Sequence, residues 1–291
     1  MRKKAFDSSR RAPRNDRAEG LPERRDGRIA EPRPPQGGRT DLLFGVLPVL
    51  ERLRSRPGSI AKIYAAEGST EHRLRDVTEI ARKSRIVVER VGRDVLDRLA
   101  EKGANHQGLI AVATAADFAD AESMVDAANV DSLFVILDGV EDPRNFGAIL
   151  RSAECAGADG VFIPERRAVG LTDTVAKSSA GAVEYVKVGR VQNLNRLIED
   201  LKEKNVWVVG TSGDAEMNYT DWDWTRASAL VLGGEGSGLR RLVAENCDVL
   251  VKIPMYGKIE SLNVSVAAGV VLFEARRQRR TRDKGAAKTG N

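Results

Sequence analysis

Past its midpoint the chain alternates short apolar runs with segments of helical periodicity, and this alternation limits the fold more than any other feature. The apolar runs cover residues 133–137, 160–163, 185–188, 206–211, 229–232 and 249–253. They are β-branched or aliphatic, lack polar alternation and are bounded by Gly, Pro and Asp, as strands buried on both faces of a parallel sheet are. Parallel neighbours need crossover connections, usually helices. Helical patterns lie at 146–156, 172–179, 193–203 and 239–245, and a last one runs from about 263 to 279. An α/β domain with a mostly parallel sheet is therefore expected over residues 132–280, with no internal repeat.

A smaller α/β unit precedes it over residues 41–116. The spacing predicts helices at 42–53, 69–83 and 93–101, with Pro48 near a helix start or at a kink. Strands are expected at 61–65, 85–89 and 108–114. Residues 117–131, rich in Ala and Asp, read as the linker. Residues 1–40 are rich in Arg, Pro, Gly and Asp with almost no periodic apolar positions. Such a segment buries too little surface to offset its ordering entropy, so a disordered basic arm is expected.

Charge follows the same division. Residues 1–40 hold 12 Lys/Arg against 6 Asp/Glu, and residues 275–291 hold 7 against 1, so each end carries +6. The chain total is +5, which leaves the body at −7. Basic ends on an acidic body, with a basic tail at 281–291, fit a polyanionic partner bound through counterion release; solubilising tails are the plainer alternative. No run approaches the ~18 apolar residues of a membrane span, and the N-terminus lacks an apolar signal core. The two cysteines, Cys155 and Cys247, have neither metal nor redox spacing, and a reducing cytoplasmic setting is expected.

Three segments stand where a strand pattern gives way to a helix pattern, the place where α/β proteins bind ligands. The first is Asp138-Gly-Val-Glu-Asp-Pro143-Arg-Asn145-Phe-Gly147-Ala-Ile-Leu-Arg151. Here Pro143 fixes a turn, Asn145 is a natural cap for a helix from Phe146, and Gly147 permits close approach. The second, Leu232-Gly233-Gly234-Glu235-Gly236-Ser237-Gly238-Leu239, lacks the Lys of a phosphate loop and comes too late for a dinucleotide fingerprint. Its central Glu235 would repel phosphate, so an uncharged or cationic ligand suits it better. The third runs from Ile253-Pro-Met255 to Glu260-Ser261-Leu262-Asn263-Val-Ser265, where Ser261 and Asn263 can each cap the following helix. That helix must be largely buried, in the core or against a partner, and its Arg276, Arg277, Arg279 and Arg280 read as available to nucleic acid. His72 and His106 fit no metal pattern and no triad, so no metal site is expected.

Together, in this order and spacing, the three segments resemble the motifs of the SPOUT class of methyltransferases, specifically the tRNA/rRNA 2′-O-ribose methyltransferases, over about residues 132–280. The front unit, ending in Gly103-Ala-Asn-His106-Gln-Gly108, looks like the L30e-like RNA substrate-binding domain of the rRNA branch. Within the family the chain is most similar to bacterial 23S rRNA (guanosine-2′-O-)-methyltransferases. The resemblance implies S-adenosyl-L-methionine as methyl donor without a metal, a deep C-terminal trefoil knot, a homodimer and an RNA substrate, most readily a guanosine of 23S rRNA. It implies catalytic-site roles for Asn145, Arg151, Glu235, Ser261 and Asn263. It implies cofactor contacts from Leu232, Gly233, Gly234, Gly236, Ile253, Met255, Ser261, Leu262 and Asn263. Two roles stay open for Arg151: activating the hydroxyl, although guanidinium is a poor base, or binding the adjacent phosphate and stabilising the developing alkoxide. The rival readings are methylation of tRNA or of another rRNA nucleotide, and a non-catalytic RNA-binding factor of the same fold.

Overall fold

The computed structural model describes residues 40–69, 71–100, 105–114, 117–166 and 169–289. The basic arm expected over 1–40 lies outside them, except for Thr40. The front unit comprises β1 (Thr40–Phe44), α1 (Val46–Ser55), β2 (Ile60–Ala66), α2 (Glu71–Lys83), β3 (Val87–Val91), α3 (Arg93–Leu99) and β4 (Leu109–Thr114). Its sheet has the order β1-β4-β2-β3. β4 pairs antiparallel with β1 and β2, and β2 pairs parallel with β3. Residues 42–44, expected to open a helix, are a strand instead. Gly45 at φ 99° breaks the chain direction there, a conformation open to glycine, and places Pro48 in the first turn of α1.

The stretch expected as a linker carries α4 (Ala121–Asp126), capped by Asp120 through Ser123, with Met124 and Val125 buried. The second sheet follows. Its elements are β5 (Leu133–Asp138), α5 (Pro143–Ala156), β6 (Gly160–Pro164), α6 (Asp173–Ser178), β7 (Val188–Val191), α7 (Leu194–Glu203) and β8 (Trp207–Thr211). They continue with β9 (Met217–Asn218), β10 (Ser228–Gly233), α8 (Arg241–Asn246), β11 (Val249–Lys252) and α9 (Val264–Thr289). The strand order is β7-β6-β5-β10-β8-β11-β9, and every neighbouring pair is parallel. All six residues of β5 are buried, as a central parallel strand requires. β7 starts at Val188 rather than at 185, because 182–184 form a 3₁₀ turn.

From β5 the chain winds outward through β6 and β7, then returns to build β8, β10 and β11 on the other side. The order thus reverses between β5 and β10, where Asp138 and Gly233 are register partners. A crevice at the carboxyl ends is expected at such a switch point.

The two units share a buried polar contact. Arg52 of α1 forms an ion pair of 2.7 Å with Glu184, both almost fully enclosed, and Arg56 joins the same carboxylate at 3.1 Å. Arg52 also donates to the Thr114 carbonyl at 2.7 Å, and Tyr185 donates to Glu51.

α9 runs past its expected end at 279 to Thr289. Its arginines do not all face solvent. Arg279 is buried and donates to the carbonyls of Trp224, Asp131, Ser132 and Arg226, while Arg277 pairs with Glu274. Arg279 therefore holds the helix under the amino ends of β5 and β10 and is not available to RNA.

Candidate active site

Each of the three strand-end segments folds for a local reason. In the first, Asp142 rather than Asn145 caps α5, accepting from Arg144 N at 2.9 Å, and the helix starts at Pro143. Asp already fills the cap, and Pro suits the first helical position because it lacks the N–H that would go unpaired. Asn145 thereby sits inside the first turn with its side chain free for other partners. Gly147 does permit a close approach, but to protein: a Cβ there would lie 1.9 Å from Ser178 Oγ, so the glycine lets α6 close on α5.

The second segment folds back on itself. Gly234 bridges Gly238, and a Cβ on Gly233 would fall 2.1 Å from the Gly238 carbonyl carbon, a space that no side chain can share. This fold-back projects Glu235 outward. In the third segment Asn263 has two roles. Its Oδ1 accepts from Ser265 N at 2.9 Å, capping α9, while its Nδ2 reaches away from the helix. Ser261, the other possible cap, stays exposed.

Side chains 90 and 118 residues apart meet here. Asn145 Nδ2 donates to Glu235 Oε1. Asn263 Nδ2 donates to Asn145 Oδ1 at 3.0 Å and to the same Glu235 oxygen at 3.2 Å. Asn145 thus has its donor and acceptor both engaged, and the amide orientations are mutually consistent. Just beyond, buried Asp138 at the end of β5 accepts from the backbone N–H (2.8 Å) and guanidinium of Arg240, pinning the exit of the glycine loop.

Next to this triangle lies a cleft of about 560 Å³, within the usual range for small-molecule sites. Leu232, Gly233, Gly234, Glu235, Gly236, Ile253, Met255, Ser261, Leu262 and Asn263 all line it. Sequence reasoning missed Thr211 and Ser212 at the end of β8, which also line it. The turn-forming Thr-Ser-Gly after an apolar run was the available signal. Arg151 does not line this cleft. It is exposed on α5, six residues beyond Asn145 and so about 9 Å further along the axis. Among the described residues no group of three or more His, Cys, Asp or Glu is placed to hold a metal ion. His106 is buried, its Nδ1 accepting from Gly108 N and its Nε2 facing Asp97, far in sequence from the cleft segments.

The model of the SpoU rRNA methylase family matches residues 132–273, and that of the RNA 2′-O ribose methyltransferase substrate-binding domain matches residues 42–119. The 23S rRNA (guanosine-2′-O-)-methyltransferase RlmB of Xylella fastidiosa is 44% identical over 240 residues, 81% of this chain and 96% of that protein. The chain belongs to the SpoU rRNA methylase family. The RlmB of Vibrio cholerae is 43% identical over 241 residues, covering 82% of this chain and 97% of its own length. Among solved structures, the SpoU methyltransferase AviRb of Streptomyces viridochromogenes, in complex with AdoMet, superposes with a TM-score of 0.69. It is 27% identical, over 82% of this chain and 89% of that one. The family's substrate-binding model thus falls on the front unit and its methylase model on the parallel sheet.

Proposed function

We propose that this SpoU family member transfers a methyl group from S-adenosyl-L-methionine to a ribose 2′-hydroxyl, that of a guanosine in 23S rRNA. The observation that carries this reading is the convergence of Asn145, Glu235 and Asn263 beside a cleft of matching size, which Glu235 and Asn263 line. The RlmB relatives, which carry that activity in their names and are matched over nearly their whole length, supply the substrate.

The residues present fit the donor. Leu232, Ile253 and Met255 offer apolar walls, and the backbone of the glycine loop offers close polar contact. Glu235 is a carboxylate suited to a cationic sulfonium rather than to a phosphate. When bound, the donor supplies a methyl group on positively charged sulfur, and a neutral thioether leaves as the ribose oxygen takes the methyl. The protein's task is alignment, placement of the hydroxyl and removal of its proton. Asn145 and Asn263 fix the Glu235 carboxylate, and Ser261 stands at the mouth. Arg151 binds the phosphate next to the target ribose and stabilises the developing alkoxide, with the hydroxyl proton passing to phosphate or water.

A homodimer completes this site. Val266 and Phe273 are half-exposed on α9 and lie seven residues apart with Gly269 between them, where a Cβ would lie 3.7 Å from Ser152 Oγ of α5. This apolar stripe borders the helix that carries Arg151. Arg151 lies about 120° around α5 from Asn145 at ~100° per residue, on a different face of the helix, and does not line its own chain's cleft. We infer that a second copy covers the stripe, and that Arg151 serves the cleft of the opposite subunit. The trefoil knot implied by the resemblance belongs to the same proposal. Among the described residues no helix is long and apolar enough to cross a membrane, and the cytoplasm, where rRNA is made in bacteria, is the proposed location. Transfer of a labelled methyl group to total rRNA and tRNA, followed by mapping of the modified nucleotide, tests the reading. Label on 23S rRNA at a guanosine ribose is expected; label confined to tRNA, or none, would overturn it.

A further inference from the structure

Beyond the exit of the glycine loop, a second recess of about 590 Å³ opens at the same edge of the sheet. Arg166 past the end of β6, Asn195 in the first turn of α7, and Arg240, Arg241 and Leu242 at the start of α8 form its walls. These are the carboxyl ends of parallel strands, so the recess and the methyl-donor cleft share one face. Arg240 follows Gly238, which lines that cleft, by two residues.

Its chemistry differs from that of the larger recess between α4 and α7. There Asp120, Glu122, Asp126, Glu165, Asp200 and Glu203 outnumber the cations, and a polyanion is repelled. In the smaller recess three guanidinium groups appear among the lining residues and no carboxylate does. Arg240 is held in place by buried Asp138. Among the described residues Arg241 pairs only with exposed Glu245, at 2.7 Å, an attachment water readily loosens. Asn195 Oδ1 is buried and accepts no hydrogen bond from the described residues. The atom is closed to solvent, so a turn of the Asn195 side chain is needed to bring it to an incoming N–H, and meeting that N–H ends the cost of an unpaired buried acceptor. Beside it Leu242 is 54% exposed, an apolar surface of the sort on which a base can rest.

Cations for a phosphate, an acceptor with no partner among the described residues and an apolar platform are together the requirements of an unpaired nucleotide. We propose that this recess binds a single-stranded nucleotide adjoining the methylated ribose. Its phosphate lies on Arg166 and Arg241, and its base, one that bears an exocyclic amino group, donates to Asn195 Oδ1. This rests on the methyl-transfer reading and adds to it a determinant of which RNA sequence is accepted.

The test uses the full chain and deproteinised 23S rRNA. The double variant R166Q/R241Q changes two exposed side chains, so folding and cofactor affinity are expected to be unaltered. Its rRNA affinity should fall roughly tenfold, and the slope of log K against log salt should flatten by about 1.4, two contacts on a single strand. At saturating RNA, kcat should stay within about twofold. Unchanged affinity and slope would overturn the phosphate half. The base half is read on the wild type with short oligomers of adenosine, cytidine or uridine. Binding at least about fivefold weaker for uridine, which has no exocyclic amine, is expected, and N195L should erase the difference. Equal affinity for all three would sink it. If the wild type transfers no methyl group to rRNA, the reaction is refuted while the binding arms still decide the recess. Normal transfer with unmoved variants refutes the recess alone.

Discussion

The two ends of the parallel sheet use polar side chains in opposite ways, and α9 contributes to both. At the amino ends Arg279 gives its hydrogen bonds to four backbone carbonyls, while Gln278 reaches those of Thr220 and Trp222 and accepts from Trp224 N. At the carboxyl ends Asn263 bonds to other side chains, Asn145 and Glu235, on the wall of an open cleft. Side chains that saturate backbone groups secure the fold and have nothing left for a ligand. Side chains that hold one another at a solvent-facing edge are positioned for something else. The polar residues of the sheet's two ends thus fall into a division between support and chemistry.

The sharpest way to break that division is to remove the group assigned purely to chemistry. Arg151→Ala is expected to lower kcat about a thousandfold or more, with cofactor affinity and melting temperature unchanged. A near-normal rate would remove Arg151 from the reaction. Mixing R151A with E235A in one preparation sharpens the point further. If each cleft draws Arg151 from the opposite subunit, random reassortment of a twofold dimer restores about a quarter of the sites. If the two residues act within one chain, mixing restores nothing.

A smaller effect separates the triangle from the support. Asn145→Ala leaves Glu235 held by Asn263 alone. A loss of about 10- to 100-fold in kcat/KM is expected, with the unfolding midpoint little changed because the site is open to water. Arg279→Ala should behave in the reverse way. Carbonyls that now lack donors cost about 3 kcal/mol or more, which lowers the melting temperature by roughly 8 °C. The salt dependence of RNA binding should not move, since a buried arginine makes no phosphate contact. A flattened salt slope in that variant would mean that Arg279 reaches RNA after all.

Much of this arrangement is legible in the sequence, for reasons that also explain the misses. Central strands such as β5 are buried on both faces and so read as unbroken apolar runs. β1 escaped because Leu42, Leu43 and Phe44 blend into the helical spacing of α1, and only the left-handed Gly45 divides them. The site segments stand out because turns at strand ends concentrate Gly, Asn and Ser. That Asn145 is not a cap could not be read, since Asp142 and Asn145 are both good caps and the choice depends on what the side chain meets 90 residues later. The burial of Arg279 had a signal that composition concealed. Positions 268, 272, 275 and 279 lie on one helical face, and the first three are buried Ala268, Leu272 and Ala275. Periodicity places Arg279 under the protein, whereas counting arginines places it in solvent.

The contact between the two units lies between these extremes and gives the smallest predicted effect. Tyr185 is half-exposed, yet partial burial, with the Glu51 carboxylate that its hydroxyl donates to, pushes its pKa up to about 12 from an ordinary value near 10. A phenol whose folded pKa is raised contributes stability while it is protonated in both states, below about pH 10. That contribution fades as pH climbs to about 12, because the unfolded chain sheds the proton first. Tyr185→Phe lacks the group. The melting-temperature gap between wild type and this variant should therefore be flat up to about pH 10 and then narrow or invert. The buried Arg52–Glu184 pair is common to both proteins, so its own response to pH cancels from the difference. A gap that stays constant to pH 12 would show that the Tyr185–Glu51 contact does not help to hold the front unit on the parallel sheet, and would leave that task to the buried ion pair.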